Sequence, residues 1–239
     1  MERNLSIDNL RGIAFLLMVF QHIFYIYDVS TNYTTSYRDI GIVDTSGIIS
    51  RYLFILLAGY SIYLTYKKQD ISPMESIRIS EATTKNNINK FNKRVKRSFE
   101  IFEHAILITM VTYLLYPDKF VQFGILHFLA LGTLLVSFVA PNKIATIIAL
   151  IISLFAYYPV TGTFADIITG AHANGLMMDW FPLNKWLPVL LSGLVIGQHI
   201  DIKLPILEFN NMITNIGKNS LNLYTIHLIG LLVMFKIKL

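Results

Sequence analysis

Arg11 and His22 lie eleven positions apart in a stretch that carries no other charge from residue 12 to residue 27. On a helix rising about 1.5 Å per residue, that spacing puts the imidazole roughly 16 Å from the guanidinium along the axis. Arg11 then reaches the headgroups at one membrane surface while His22 sits near mid-bilayer, and an ionisable group at that depth is a functional suspect by default. Imidazole can act there as a general base or as a transient acyl carrier, given a partner that orients it. Acyl transfer asks for no more than that.

Other polar residues are lodged in apolar surroundings. His127 follows Phe123-Gly124-Ile125-Leu126, and His227 follows Tyr224 by three positions. Each, taken alone, reads either as a hydrogen-bonded core residue or as part of a polar cavity. Three histidines and two arginines in short apolar segments favour a common cavity, because facing lipid is so costly. Arg51 either snorkels to headgroups or turns inward to an anion. Glu100 and His104, one turn apart, read as a solvated or inter-helical ion pair. The segment 160–185 holds His172, Asn174, Asp179 and Trp180 and runs up to Trp186; it reads either as a lid or acceptor-binding element, with Asp179 a substrate contact, or as an interfacial segment without catalytic duty. Other chemistries lack their residues: there is no cysteine, no His-Glu-x-x-His helix and no paired-carboxylate motif, so no metal site is expected.

The elements that must position these groups are membrane helices. Hydrophobic residues make up 54% of the 239 and charged residues 15%, well below the roughly one-quarter charge of soluble domains. Mean hydropathy is +0.54. The long unalternating apolar runs predict an all-α bundle of about seven transmembrane spans, at 10–27, 49–66, 100–116, 121–140, 144–159, 186–200 and 220–236. The whole chain, 1–239, reads as one domain with a basic loop at 67–98, and the first apolar run is too long for a cleavable signal and is expected to stay as a span.

The net charge of +5 is concentrated in that loop, which is a topology signal and not a nucleic-acid site. The positive-inside rule puts 67–98 in the cytoplasm, with the N-terminus and the loops 141–143 and 201–219. The segments 28–48, 117–119 and 160–185 and the C-terminus fall outside, although Lys236 and Lys238 weigh against the last placement. Residues 70–89 read as a polar, partly disordered linker, leading into an interfacial helix at 90–97. Its cluster Lys93-Arg94-Val95-Lys96-Arg97 either anchors on anionic lipid or docks a polyanion such as the phosphates of coenzyme A. In span two, Ala58-Gly59-Tyr60-Ser61 reads as a close helix contact.

Seven blocks in order carry a family resemblance. They are Ile7-Asp8-Asn9-Leu10-Arg11-Gly12-Ile13-Ala14 with His22; Leu53-Phe54-Ile55-Leu56-Leu57-Ala58-Gly59-Tyr60-Ser61; Lys93 to Arg97; Phe123 to Phe128; Asp179-Trp180-Phe181-Pro182; Gly193 to Gly197; and Ile216-Gly217-Lys218-Asn219-Ser220 through Tyr224 to His227. Together they resemble the catalytic domain of the heparan-alpha-glucosaminide N-acetyltransferases, and the Arg-to-His spacing is similar to that of type 3 acyltransferases. The resemblance implies an integral membrane enzyme, in the plasma membrane, that passes an acetyl group from cytoplasmic acetyl-CoA to an amine or hydroxyl of a sugar or glycan at the outer face. It also implies Arg11 and His22 on the catalytic helix, His127 and His227 in the cavity, and Arg94, Lys96 and Arg97 with Arg11 on the CoA phosphates. No metal or prosthetic group is implied, and the partners are membrane lipid and the acceptor. After Pro182 the chain lacks a second proline that similar proteins carry before the tryptophan, so the acceptor is left open. A small-molecule transporter and a noncatalytic scaffold are the rival readings; no internal repeat supports the first.

Overall fold

The computed structural model describes residues 5–31, 40–67, 79–172, 177–200 and 211–237, with side chains left aside at 79–87 and 237. Among the described residues the chain is mostly helical and forms no strand, with one isolated bridge between Phe123 and Trp180. The helices are α1 (Leu5–Ser30), α2 (Gly41–Lys67), α3 (Ile79–Leu115), α4 (Ile125–Val139), α5 (Lys143–Phe155), α6 (Phe164–Thr169), α7 (Leu183–His199), α8 (Asn211–Lys218) and α9 (Ser220–Ile237).

Every apolar segment expected to span coincides with one of α1, α2, α3, α4, α5, α7 and α9. Three are long and apolar enough to cross a membrane: α1, α2 and the 28 residues of α3 from Ile88 to Leu115. The apolar helices α4, α5 and α9 are shorter. This is an integral membrane protein, and α5 shows why in miniature. Its Thr146 and Ser153 are buried against the bundle, while Ile144, Ile151 and Phe155 are exposed. That inverted pattern suits hydrocarbon as solvent, since polar groups then seek partners inside the protein.

Two sequence expectations need correction. The polar stretch read as a linker is helical from Ile79, so α3 runs unbroken for 37 residues through the basic cluster; one hydrogen-bonded helix satisfies backbone that a linker would leave to water. Residues 70–78 of that linker lie outside the described residues. The segment 201–219 was expected as a plain loop, yet it holds α8, which packs on α1. There Thr214 donates to the Asn9 side chain at 2.5 Å in a buried contact.

α2 packs on α1 and α7, α3 on α4 and α9, and α5 on α7. The α2–α7 crossing depends on two glycines. A Cβ at Gly59 would strike the Leu190 carbonyl, and one at Gly193 the Leu56 carbonyl. The close contact read from Ala58 to Ser61 is therefore made, with both backbones in touch. α4 is buried through its first two turns, with Phe128 fully buried, and turns Leu135 and Phe138 outward near its end.

Candidate functional site

His22 and Arg51 face a polar cavity of about 260 Å³ at the end of the bundle where the 177–181 loop crosses. Arg51 is held by its own helix, Nε donating to the Gly47 carbonyl at 2.9 Å, which leaves the guanidinium turned inward. Asp179 lies in the same cavity because its loop is pinned on three sides. Met178 N–H donates to the Lys119 carbonyl and Phe181 N–H to the Phe123 carbonyl, both at 2.9 Å, and the Tyr25 hydroxyl donates to the Met178 carbonyl. The Asp179 carboxylate accepts from Ile125 N–H, 3.1 Å away, at the start of α4. Burial pushes that carboxyl up to about 6, against the opposing pull of the Ile125 N–H and the Arg51 charge.

Behind His22 stands His227. Nδ1 of His22 is 3.0 Å from Nε2 of His227, and the ring planes differ by only 10°. Nδ1 of His227 is 3.0 Å from the Leu223 carbonyl one turn back. A carbonyl only accepts, so in a neutral pair His227 Nδ1 carries the proton and its Nε2 the lone pair. His22 must then donate through Nδ1, and its Nε2 is left with a lone pair. Leu223 thus sets the tautomer of a ring on another helix, and His22 is poised as a base.

A second cavity, about 530 Å³, lies toward the opposite end, lined by Arg11, Ser61, Lys93, Arg94, Arg97 and Lys218 among others, with no acidic residue in its described wall. Ser61 joins two of these cations. Its hydroxyl accepts from Arg11 Nη2 and its carbonyl from Arg94 Nη2, both at 2.5 Å. Nε of Arg94 is buried with no hydrogen-bond partner. Asp8 approaches Arg11 only to 3.5 Å, and Glu100 pairs with Arg97 at 3.0 Å on the exposed side. Guanidiniums gathered on one serine, with a donor to spare, are the groups that anion recognition calls for.

Tyr224 borders both cavities, with its ring edge-on to His22 and to His227. The sequence-derived candidates divide accordingly. His22, Arg51 and Asp179 share the first cavity, with His227 directly behind, while Arg11, Arg94 and Arg97 share the second. Lys96 is exposed and lines neither. His127 is not brought to His22: it lines a third, apolar cleft, accepting from Gly124 N–H at 3.3 Å and meeting Thr109 Oγ1 at 3.2 Å. Glu100 makes its ion pair with Arg97 on the exposed side, and His104 makes an inter-helical hydrogen bond to Thr225 at 2.9 Å.

Sequence reading passed over Ser61 as the joint between two arginines, and Lys218, Lys185 and Tyr224 as wall residues. Helical periodicity held one usable signal: Lys93, Arg94 and Arg97 fall on one arc, with Lys96 beyond its edge. Trp186, expected in an interfacial belt, is buried and stacked on Phe181 at 4.8 Å.

No curated protein and no solved structure matches the chain. One family model does, described as heparan-alpha-glucosaminide N-acetyltransferase, catalytic, and it matches residues 3–229. Both polar cavities and the histidine pair that backs one of them fall inside that span, and the chain belongs to this family of membrane acetyltransferases.

Proposed function

We propose that this protein transfers an acetyl group from cytoplasmic acetyl-CoA to an amine or hydroxyl of a sugar or glycan at the outer face of the plasma membrane. The reading rests on one observation above the rest: a tautomer-fixed His22 at the wall of one polar cavity, with Tyr224 as the boundary to a second, cationic one. The cationic cavity fits the CoA phosphates. Arg11, Arg94, Arg97, Lys93 and Lys218 supply charge, the orphan Arg94 Nε supplies an unspent donor, and no carboxylate competes in the described wall. Positive charge at this end of α3 favours the cytoplasmic side. The pantetheine arm then runs toward Tyr224 and brings the thioester within reach of His22.

In the step itself, the acceptor's nitrogen or oxygen attacks the thioester carbonyl carbon while its proton passes to His22 Nε2. The C–S bond breaks as the tetrahedral centre collapses, and the sulfur leaves as a thiol with the proton from the imidazolium. His227 stabilises that imidazolium by accepting from Nδ1–H. Asp179 and Arg51 hold the acceptor's polar groups.

The experiment is His22→Ala in proteoliposomes, with acetyl-CoA as donor and glucosamine as probe acceptor, following acceptor-dependent thiol release. A positioned acid–base group contributes about 10²–10⁴-fold, and a loss of that order is expected. Unchanged release ends the proposal.

A further inference from the structure

The third cavity takes no part in this chemistry. It is a cleft of about 460 Å³ between α3 and α4, and along α3 it reaches from Ser98 to Met110, about 18 Å at the helical rise. Phe102, Ile106, Ala130 and Leu134 give it walls of hydrocarbon. Three of its polar side chains are engaged within the protein: Ser98 bonds Thr133, and Thr109 donates to the Val121 carbonyl and contacts His127. The rim residues Phe99, Phe102, Met110 and Phe164 are exposed. Since this part of α3 lies within a stretch apolar enough to cross a membrane, the cleft opens sideways into bilayer hydrocarbon. Its length compares with half of a ~30 Å hydrocarbon core.

The cleft is also tied to the Asp179 cavity. Val121 and Ile125 line that cavity, whereas Gln122 and Phe123 line the cleft, so one extended segment is the wall between them. Their covers are hydrogen-bonded to each other. Trp180, in the cavity wall, donates Nε1–H to the Ile167 carbonyl at 2.8 Å, in the short helix whose Phe164 and Ile168 roof the cleft.

We propose that the acceptor is an amphiphile, with its hydrocarbon chain in the α3–α4 cleft and its polar headgroup passing Gln122, the one residue of 121–125 that is not buried, into the Asp179 cavity. This names the acceptor class and rests on the transfer reading above. Moving a chain from lipid to a wall of equal polarity brings little hydrophobic gain. The value of the cleft is positional: it confines the headgroup beside His22.

The test uses the full chain in proteoliposomes with two probe acceptors, dodecyl glucosaminide and methyl glucosaminide. The dodecyl probe should show a KM at least tenfold lower. Ala130→Trp, which fills the cleft, and the milder rim variant Ile106→Trp should abolish that preference and leave methyl glucosaminide turnover unchanged. Ile148→Trp on the exposed face of α5 should keep it. Equal KM values, or a preference that survives both cleft variants, overturn the proposal. Should neither probe be acetylated, the transfer reading fails, and a diazirine-bearing dodecyl glucosaminide decides the cleft separately. Adducts concentrated on Phe102, Ile106 and Met110 uphold it, and adducts spread equally over α5 overturn it.

Discussion

His22 Nδ1 stands 3.0 Å from His227 Nε2, joining α1 to α9 across 205 residues of sequence. The familiar third member of such a relay is a carboxylate; here it is the Leu223 carbonyl. A carbonyl fixes which nitrogen holds the proton without adding a negative charge inside the bundle, where an unpaired carboxylate would be expensive. In the proposed transfer this arrangement orients His22 as a base, and the imidazolium formed there donates to a neutral neighbour.

His227→Ala should therefore lower kcat by roughly 10²-fold, the low end for a positioned acid–base group, with the KM for acetyl-CoA unchanged. His227→Gln, whose amide oxygen can accept from His22 Nδ1–H, should recover part of the loss. Steady-state kinetics in proteoliposomes separates the two parameters. A KM effect with kcat intact would place His227 in substrate binding instead.

Arg94 and Ser61 should govern the donor. Charged hydrogen bonds are worth about 1.5–3 kcal/mol, so Arg94→Ala should raise the KM for acetyl-CoA by about 10- to 100-fold with little change in kcat. Lys96→Ala, at an exposed position outside the cavity, should leave it unchanged. Arg94→Lys should restore little, because an ammonium lacks the rigid planar fork that bonds the Ser61 carbonyl through Nη2 and holds Nε as a separately placed donor. Equal effects from Arg94→Ala and Lys96→Ala would mean general electrostatic attraction in place of a formed site.

The pattern of legible and illegible features follows from the solvent. Helix positions were readable because hydrocarbon demands continuous apolar runs, and α1, α2, α4 and α9 answer to them. Arg11, His22 and His227 stood out because polar atoms at depth are rare there. What the sequence could not supply was direction around each helix axis. His127 and His227 look alike in sequence, each a histidine in an apolar run, yet one caps α4 at an apolar cleft and the other bonds His22. Ser61 was legible only as a small residue, since its second role depends on cations from two other helices. The helical start of α3 was hidden because a polar amphipathic stretch has the composition of a linker.

The glycine crossing makes a stability prediction. A Cβ at Gly193 would meet the Leu56 backbone, and backbone cannot swing aside as a side chain can. Gly193→Ala should cost about 1–3 kcal/mol, the usual toll of overpacking, and lower the Tm in detergent. Gly230→Ala, where nothing stands within 4 Å, is the matched control and should leave Tm unchanged or raise it. Equal shifts at the two positions would refute the crossing.

Asp179 makes a pH prediction. A carboxyl raised from 3.8 to about 6 by burial holds its proton more tightly in the folded chain than in the unfolded one. The stability this adds is fully present below about pH 4 and is lost as pH rises through about 6. Asp179→Asn keeps an oxygen for Ile125 N–H and removes the titration. The variant should gain on wild type as pH rises from 4 to 7, read as a widening Tm difference in detergent. A difference constant with pH would show that Asp179 does not titrate in this window.

His127 should prove to be a structural residue. Its Nδ1 accepts from Gly124 N–H, so in the neutral ring Nε2 carries the proton and donates to Thr109 Oγ1, which donates onward to the Val121 carbonyl. Both ring nitrogens are occupied in holding the start of α4 against α3, and neither faces His22. His127→Ala removes a cap, worth about 1 kcal/mol, and leaves the Thr109 hydroxyl with one contact fewer. The expected result is a lower Tm with the KM for acetyl-CoA close to wild type and kcat within a few-fold. His127→Gln, which can accept from Gly124, should regain part of the stability. A loss of kcat in His127→Ala as deep as that in His22→Ala, with Tm unchanged, would instead require the ring to reach the reacting atoms, which would mean that α4 rotates during turnover.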